Sequence, residues 1–279
     1  MEKRTQKQLI IGFIFVLLMT GAVYGLVDYF LLIESTCFDG VQNGLEEGVD
    51  CGLIACGVAC EPAILPLNVM SQKLIEVRPG DYDFVAQINN PNSLFGSSRV
   101  GYQLNFGALQ KTGTFYIFPG QTRFVIVPGI RVTNLGEGSA QSRVSVGVAD
   151  VSIDITEVEW QRVETFEDIS FPVQRKSYVV VGRNGAFSEL EAVVLNGSDF
   201  DFDKVEVGVI LFSAEGEIVA VNKTDIRTFL SRTERYFKVG WPVELPEVNR
   251  QDVEVLTNVF ENANFIRRHG AQEKFQKYY

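Results

Sequence analysis

The longest uncharged, apolar run in the chain lies near the N-terminus. It extends from Gln8 to Val27 without a charged residue. About 20 such residues suffice for an α-helix to cross a bilayer core of about 30 Å. Asp28 interrupts the run, and Tyr29–Ile33 then prolong it. The pattern predicts a short cytoplasmic stub and a transmembrane anchor over residues 1–33.

The charges on either side of this run predict its orientation. Lys3, Arg4 and Lys7 lie on the N-terminal side, and Asp28 and Glu34 lie on the C-terminal side. The positive-inside rule predicts a cytoplasmic N-terminus, with everything after Glu34 outside the cytoplasm. A cleaved signal peptide is the alternative, because small residues near the end of the run also suit a cleavage site.

Beyond residue 66 the dominant pattern is strict alternation of apolar and polar residues. Such period-2 runs, bounded by Gly, Asn, Asp and Pro, predict half-buried antiparallel β-strands. The clearest runs are Val100–Phe106, Ser142–Val148, Val205–Leu211 and Arg235–Trp241. No comparable amphipathic helix separates them, so the chain is predicted to be mainly β.

The two halves of this region also align with each other. Asn90 matches Asn196 and Phe106 matches Phe212 at an offset of 106 residues, since 196 − 90 = 106. Lys111-Thr112 match Lys223-Thr224, and Arg123 matches Arg235, at an offset of 112. The extra six residues predict a longer hairpin around Ser213–Ile218. We therefore predict two tandem β-sandwiches over residues 66–165 and 174–266, followed by a mobile tail over residues 267–279. Arg123 and Arg235 are interpreted as structural arginines that pack on an aromatic ring and pair with an acid.

All four cysteines lie between the anchor and the first sandwich, in a segment that we call the collar, residues 34–65. They are Cys37, Cys51, Cys56 and Cys60. An even number of clustered cysteines outside the cytoplasm predicts two disulfides, with three possible pairings. A zinc site built from four thiolates is the competing interpretation.

Glycines recur between acidic and amide side chains in the loop from Cys37 to Cys51. Glycine permits tight turns, and carboxylate and amide oxygens are the ligands that calcium prefers. Asp39, Asn43, Glu46 and Asp50 are therefore candidate calcium ligands. The alternative is that these residues simply form the turns of a solvated, disulfide-bonded loop.

The stretch that starts at Cys37, CFDGVQNGLEEGVDCG, resembles the short C-x-D-G-x-x-N…E-x-G-x-D-C-G-G-x-C-x-x-C repeats of secreted and surface proteins of bacteria. It departs from that pattern at Leu53, where a second glycine is expected, and in the wider spacing of the last cysteines.

Asn89-Asn90-Pro91-Asn92 after a strand, followed by the Val100–Phe106 strand, resembles the late-embryogenesis-abundant type 14 and water-stress/hypersensitive-response β-sandwiches. The second copy is similar to their bacterial relative, the F-x-L-Y-D type of domain, through Asn196-Gly-Ser198, Leu211–Val219 and Ser231–Phe237. Ser213-Ala214 stand where that family has Tyr-Asp. The resemblance covers roughly residues 70–265, and it implies fibronectin-III-like, generally non-catalytic modules of envelope proteins.

Composition narrows the class of function. The chain has 35 acidic against 25 basic residues, a net charge of −10, and a single histidine, His269. An acidic balance argues against nucleic acid or an anionic membrane surface as the main partner. One histidine excludes most Ser–His, Cys–His and His–metal chemistry.

Together these patterns predict a membrane-anchored, extracytoplasmic binding or scaffold protein. Its partner is expected to be another envelope protein, for which strand addition to a sandwich edge is a plausible mode. A structural stalk without a specific ligand is the second hypothesis. An envelope enzyme that uses a carboxylate pair is the third. No cofactor is predicted besides calcium.

Overall fold

The computed structural model describes residues 3–27, 36–106, 109–131, 151–163, 169–183 and 186–262. The predicted strand at Ser142–Val148, the tail over residues 267–279 and the acids Asp28 and Glu34 lie outside the described residues. The chain forms two compact units, Met1–Ala63 and Ile64–Tyr279.

The first unit begins with helix α1, Lys3–Val27. Within it, the 22 residues Gln6–Val27 are long and apolar enough to cross a membrane, although a signal sequence at an N-terminus has the same features. At 1.5 Å per residue they extend about 33 Å, close to the thickness of a bilayer core. The collar follows, with one short helix, α2, at Leu53–Cys56.

The described part of the second unit is built from twelve antiparallel strands. They are β1 Asn68–Arg78, β2 Asp81–Asn89, β3 Phe95–Phe106, β4 Leu109–Ile117, β5 Thr122–Arg131, β6 Val151–Arg162, β7 Val173–Arg183, β8 Ala186–Leu195, β9 Phe202–Phe212, β10 Ile218–Phe229, β11 Glu234–Trp241 and β12 Arg250–Leu256. A 3-10 helix, Val259–Glu261, follows β12. Three of the four predicted alternating runs therefore lie in β3, β9 and β11.

These strands form four three-stranded sheets. Sheet A has the order β4-β3-β6, sheet B β1-β2-β5, sheet C β10-β9-β12 and sheet D β11-β8-β7. Sheets A and B enclose one core, in which Phe84, Ile88 and Leu104 are almost fully buried. Sheets C and D enclose a second core that contains Phe202 and Phe229. The predicted fold class is confirmed: a mainly β chain with an apolar N-terminal helix, a small disulfide-rich segment and two antiparallel sandwiches.

The second sandwich repeats the topology of the first. Adding six to each strand number converts sheet A into sheet C and sheet B into sheet D. Arg123 and Arg235, which match at an offset of 112 residues, also make the same local hydrogen bond in each copy. The guanidinium of Arg123 donates to the carbonyl of Tyr116, and that of Arg235 donates to the carbonyl of Thr228, seven residues earlier in both cases. The internal repeat seen in the sequence is thus present in the fold.

The six extra residues of the second copy are not all in its hairpin. The β9–β10 turn has five residues, Ser213–Glu217, whereas two residues separate β3 from β4, which accounts for three. A bulge between Ile218 and Ala220 adds one. The remaining two extra residues are inserted between Asp225 and Thr228, and Thr228 adopts φ +51°. In register, Lys111 corresponds to Val221 rather than Lys223, so the Lys-Thr match in the sequence was wrong by two residues.

One buried asparagine closes the end of each sandwich. The Asn90 amide donates to the carbonyls of Phe95 and Phe118, at 2.7 and 2.8 Å. Its equivalent, Asn196, donates to the carbonyls of Phe200, Phe229 and Leu230, at 2.8, 3.2 and 3.0 Å. Both side chains are fully buried. Each amide therefore joins chain segments that are far apart in sequence, a role we call the asparagine latch.

Candidate functional site

The collar is the first candidate site, and its covalent frame is now defined. Cys37 pairs with Cys56 and Cys51 pairs with Cys60, with Cα–Cα distances of 5.6 and 5.0 Å. This is one of the three pairings left open by the sequence. With all four cysteines oxidised, no thiolate remains for the competing zinc site. Disulfides are typical of an oxidising, extracytoplasmic environment.

The four candidate calcium ligands are brought together in one loop of the collar. The Asp50 carboxylate accepts hydrogen bonds from the backbone N–H groups of Asp39 and Gly40, at 3.0 and 2.9 Å. The Glu46 carboxylate accepts from the backbone N–H groups of Asn43 and Asp50, at 3.1 and 3.3 Å. Each of these acids thus joins two separate parts of the loop.

The Asn43 and Asp39 side chains are linked to each other as well. The Asn43 amide nitrogen donates to Asp39 at 3.0 Å, and its oxygen accepts from the Thr36 N–H at 3.0 Å. A hydrogen bond from the Thr36 hydroxyl, followed by one from the Val41 N–H, lowers the pKa of Asp39. These four side chains act as caps for backbone groups, which helps to fix the shape of the loop.

A second candidate site lies where sheets B and C face each other, a boundary that we call the seam. Its apolar centre consists of Val85, Ile126, Ile210, Phe212 and Val221. Gly208 of β9 also faces it, and a Cβ atom there would lie 3.1 Å from the Ile126 side chain. The two sandwiches therefore share a packed apolar contact.

Polar groups at one side of the seam surround the buried Arg123. Its guanidinium lies 4.4 Å from the centre of the Tyr116 ring and 3.4 Å from the Glu206 carboxylate. The prediction of a structural arginine packed on an aromatic ring and paired with an acid is confirmed for this residue. Its equivalent, Arg235, is half-buried and bonds within its own sandwich. Only the first copy thus uses this position to contact its neighbour.

Glu254 of β12 completes the polar group. Its carboxylate accepts from the Phe124 N–H of β5, at 3.3 and 3.4 Å, which ties the two sandwiches together. Burial raises the pKa of Glu254 to about 7, and the positive charge of Arg123 acts in the opposite direction. Burial also lowers the pKa of Lys223, against the attraction of Glu206. Sequence reasoning missed Glu206 and Glu254.

A cavity of about 210 Å³ opens beside these groups. Its charged lining is balanced, with three basic residues and three acidic ones: Arg123, Lys204, Lys223, Glu206, Asp225 and Glu254. The enzyme hypothesis from the sequence invoked a pair of carboxylates. The cavity contains carboxylates, but an equal number of basic side chains also lines it.

Comparison with known proteins does not assign the chain to a family. No family model matches the chain, and no curated protein matches it. Among solved structures, one described as the crystal structure of calcium binding domain CBD12 of CALX1.1 is similar over 71% of this chain and 86% of its own. The sequence identity is 12% and the TM-score is 0.21. At that level the similarity carries no inference about function.

Proposed function

We propose that this chain is a membrane-anchored, extracytoplasmic binding or scaffold protein, an accessory subunit of a cell-envelope or surface assembly. The helix α1 supplies the anchor and the disulfides fit an oxidising compartment. The resemblance of the sandwiches to late-embryogenesis-abundant type 14 and F-x-L-Y-D domains supports a non-catalytic role. The balanced charges of the seam cavity support it too.

The observation that carries the binding role is the outer edge of sheet D. Strand β7 pairs only with β8 among the described strands. Its segment Tyr178–Val181 contains no charge or proline, and Val179 and Val180 are 46% and 65% exposed. Soluble proteins usually protect such edges with charges, prolines or covering loops. Arg175 and Lys176 and a bulge on either side protect the flanks of this segment, but Tyr178–Val181 itself offers backbone groups and apolar side chains to an added partner strand.

A photoreactive residue at Val179 is expected to capture one reproducible envelope protein in intact cells of the native host. Adding Val180→Lys should reduce that capture roughly tenfold, because a lysine on an edge strand opposes strand addition. The same photoreactive residue at Tyr236 is the control, since Tyr236 is 57% exposed on the opposite edge strand of sheet D. Random capture of abundant proteins, unchanged by Val180→Lys, would favour the structural stalk.

Calcium at Asp39, Asn43, Glu46 and Asp50 stays a prediction. Extracellular calcium modules bind with dissociation constants of about 10⁻⁴–10⁻³ M. Calorimetric titration of the full chain in detergent with calcium, up to about 10 mM, tests it in that range. Heat of binding that disappears in an Asp39→Asn, Asp50→Asn double variant would support the site. The absence of any heat, or heat unchanged in the variant, would leave these acids with their capping role alone.

A further inference from the structure

A water-soluble module usually has apolar side chains inside and polar side chains outside, and the collar has the opposite arrangement. Phe38, Ile54 and Leu53 are 100%, 83% and 65% exposed. More than half of each side chain is also exposed at Val41, Leu45, Val49 and Val58. Monomeric soluble proteins rarely expose so much apolar surface on so short a segment.

The interior of the collar is correspondingly polar. Glu46 is only 7% exposed, and Asn43 and Asp50 are half-buried, because their side chains cap backbone N–H groups. The two disulfides and these caps hold the module together, so it needs no apolar core. The side chains of Phe38, Leu53 and Ile54 are therefore left on the outside of the module.

Chain connectivity limits how far this surface can lie from the anchor. Helix α1 ends at Val27 and the described part of the collar begins at Thr36, nine residues later. Nine residues span at most about 32 Å when fully extended. The collar is thus held within reach of the bilayer surface.

We propose that the collar lies on the bilayer and immerses Phe38, Leu53 and Ile54 at the boundary between headgroups and acyl chains. The proposal rests on the membrane anchoring proposed above. Residues 36–63 contain five acids and no lysine or arginine. Burial of apolar surface, and not attraction to anionic lipid, therefore drives the contact. The partner is a lipid surface with zwitterionic headgroups.

The test places a tryptophan at Phe38 or Ile54 of the full chain, reconstituted in phosphatidylcholine vesicles with or without bromine on the acyl chains. Bromine quenches tryptophan on contact, and emission from the native Trp160 and Trp241 is subtracted with the unmodified chain. F38W and I54W are expected to lose about twofold in added emission in brominated lipid, as suits a side chain about 5–10 Å into the interface. Adding anionic phosphatidylglycerol should not increase the quenching.

The control is V180W, at a valine with similar exposure in the second unit. Quenching of F38W and I54W that does not exceed that of V180W would overturn the proposal. Protection of both tryptophans from acrylamide as well would then identify a protein surface as the occupant. Intact mass confirms both disulfides in each variant. If a carbonate wash releases the unmodified chain from the vesicles, the proposed membrane anchoring by α1 is refuted. If the chain is retained but its tryptophans are not quenched, only the proposed position of the collar is refuted.

Discussion

Replacing Asn196 by alanine is expected to lower the free energy of unfolding of the Ile64–Tyr279 unit by about 3 to 5 kcal/mol. The amide of Asn196 donates to carbonyls of Phe200, Phe229 and Leu230, and its oxygen accepts from Ser198. Alanine removes all of these bonds at once. Five hydrogen bonds are then lost at a buried side chain, and each contributes about 0.5–1.5 kcal/mol.

Urea unfolding followed by tryptophan fluorescence measures this effect, because Trp160 and Trp241 both lie in the second unit. Asn90→Ala should have a similar cost, since Asn90 has the same role in the first sandwich. Asn89→Ala is the matched control, because Asn89 makes one exposed side-chain bond, to Thr122. A loss at Asn196 no larger than at Asn89 would contradict the asparagine latch.

The second large effect is a dependence of stability on pH that originates at Glu254. Burial raises the pKa of Glu254 to about 7 from 4.5, so the folded state holds its proton more tightly than the unfolded state does. The resulting stabilisation is fully present below pH 4.5 and is lost as the pH rises through about 7. The difference between the two pKa values corresponds to about 3 kcal/mol in total.

Glu254→Gln isolates this contribution because glutamine is neutral and still accepts from the Phe124 N–H. Between pH 5 and 8, the unfolding free energy of the unmodified chain should fall about 2 kcal/mol further than that of the variant. Asp252→Asn, which removes an exposed acid from the same strand, should follow the unmodified chain. Equal pH profiles for the unmodified chain and Glu254→Gln would show that the seam does not raise the pKa of this carboxyl.

Much of the fold could be predicted from local patterns, because each sandwich core is filled by alternate residues of its strands. Val205, Val207 and Val209 point into the second core, as their spacing predicted. The seam was missed although β9 carried a signal for it. From Val209 to Phe212 every residue is apolar, which is typical of a strand buried on both faces. The alternation of polar and apolar residues earlier in the same strand is typical of a strand with one buried face, so the second buried face was not predicted.

The collar shows why residue type alone leaves a site open. A carboxylate in a glycine-rich loop can bind a cation or accept backbone N–H groups, and the two roles require the same amino acids. The choice depends on where Asp50 and Glu46 meet the backbone, which the sequence does not contain. The disulfide pairing is likewise decided by three-dimensional proximity. Lysine and threonine occur on many strands, so the coincidence of Lys111-Thr112 with Lys223-Thr224 carried no register information.

The intact mass of the protein from carbonate-washed membranes of its native host tests the central proposal most directly. A membrane-anchored, extracytoplasmic chain should be found there with a mass that includes α1 and lacks the four hydrogens lost in forming two disulfides. That result would show that α1 is retained in the membrane and that the collar is oxidised. A shorter soluble chain lacking α1, or a full-length chain with four free thiols, would contradict the proposal.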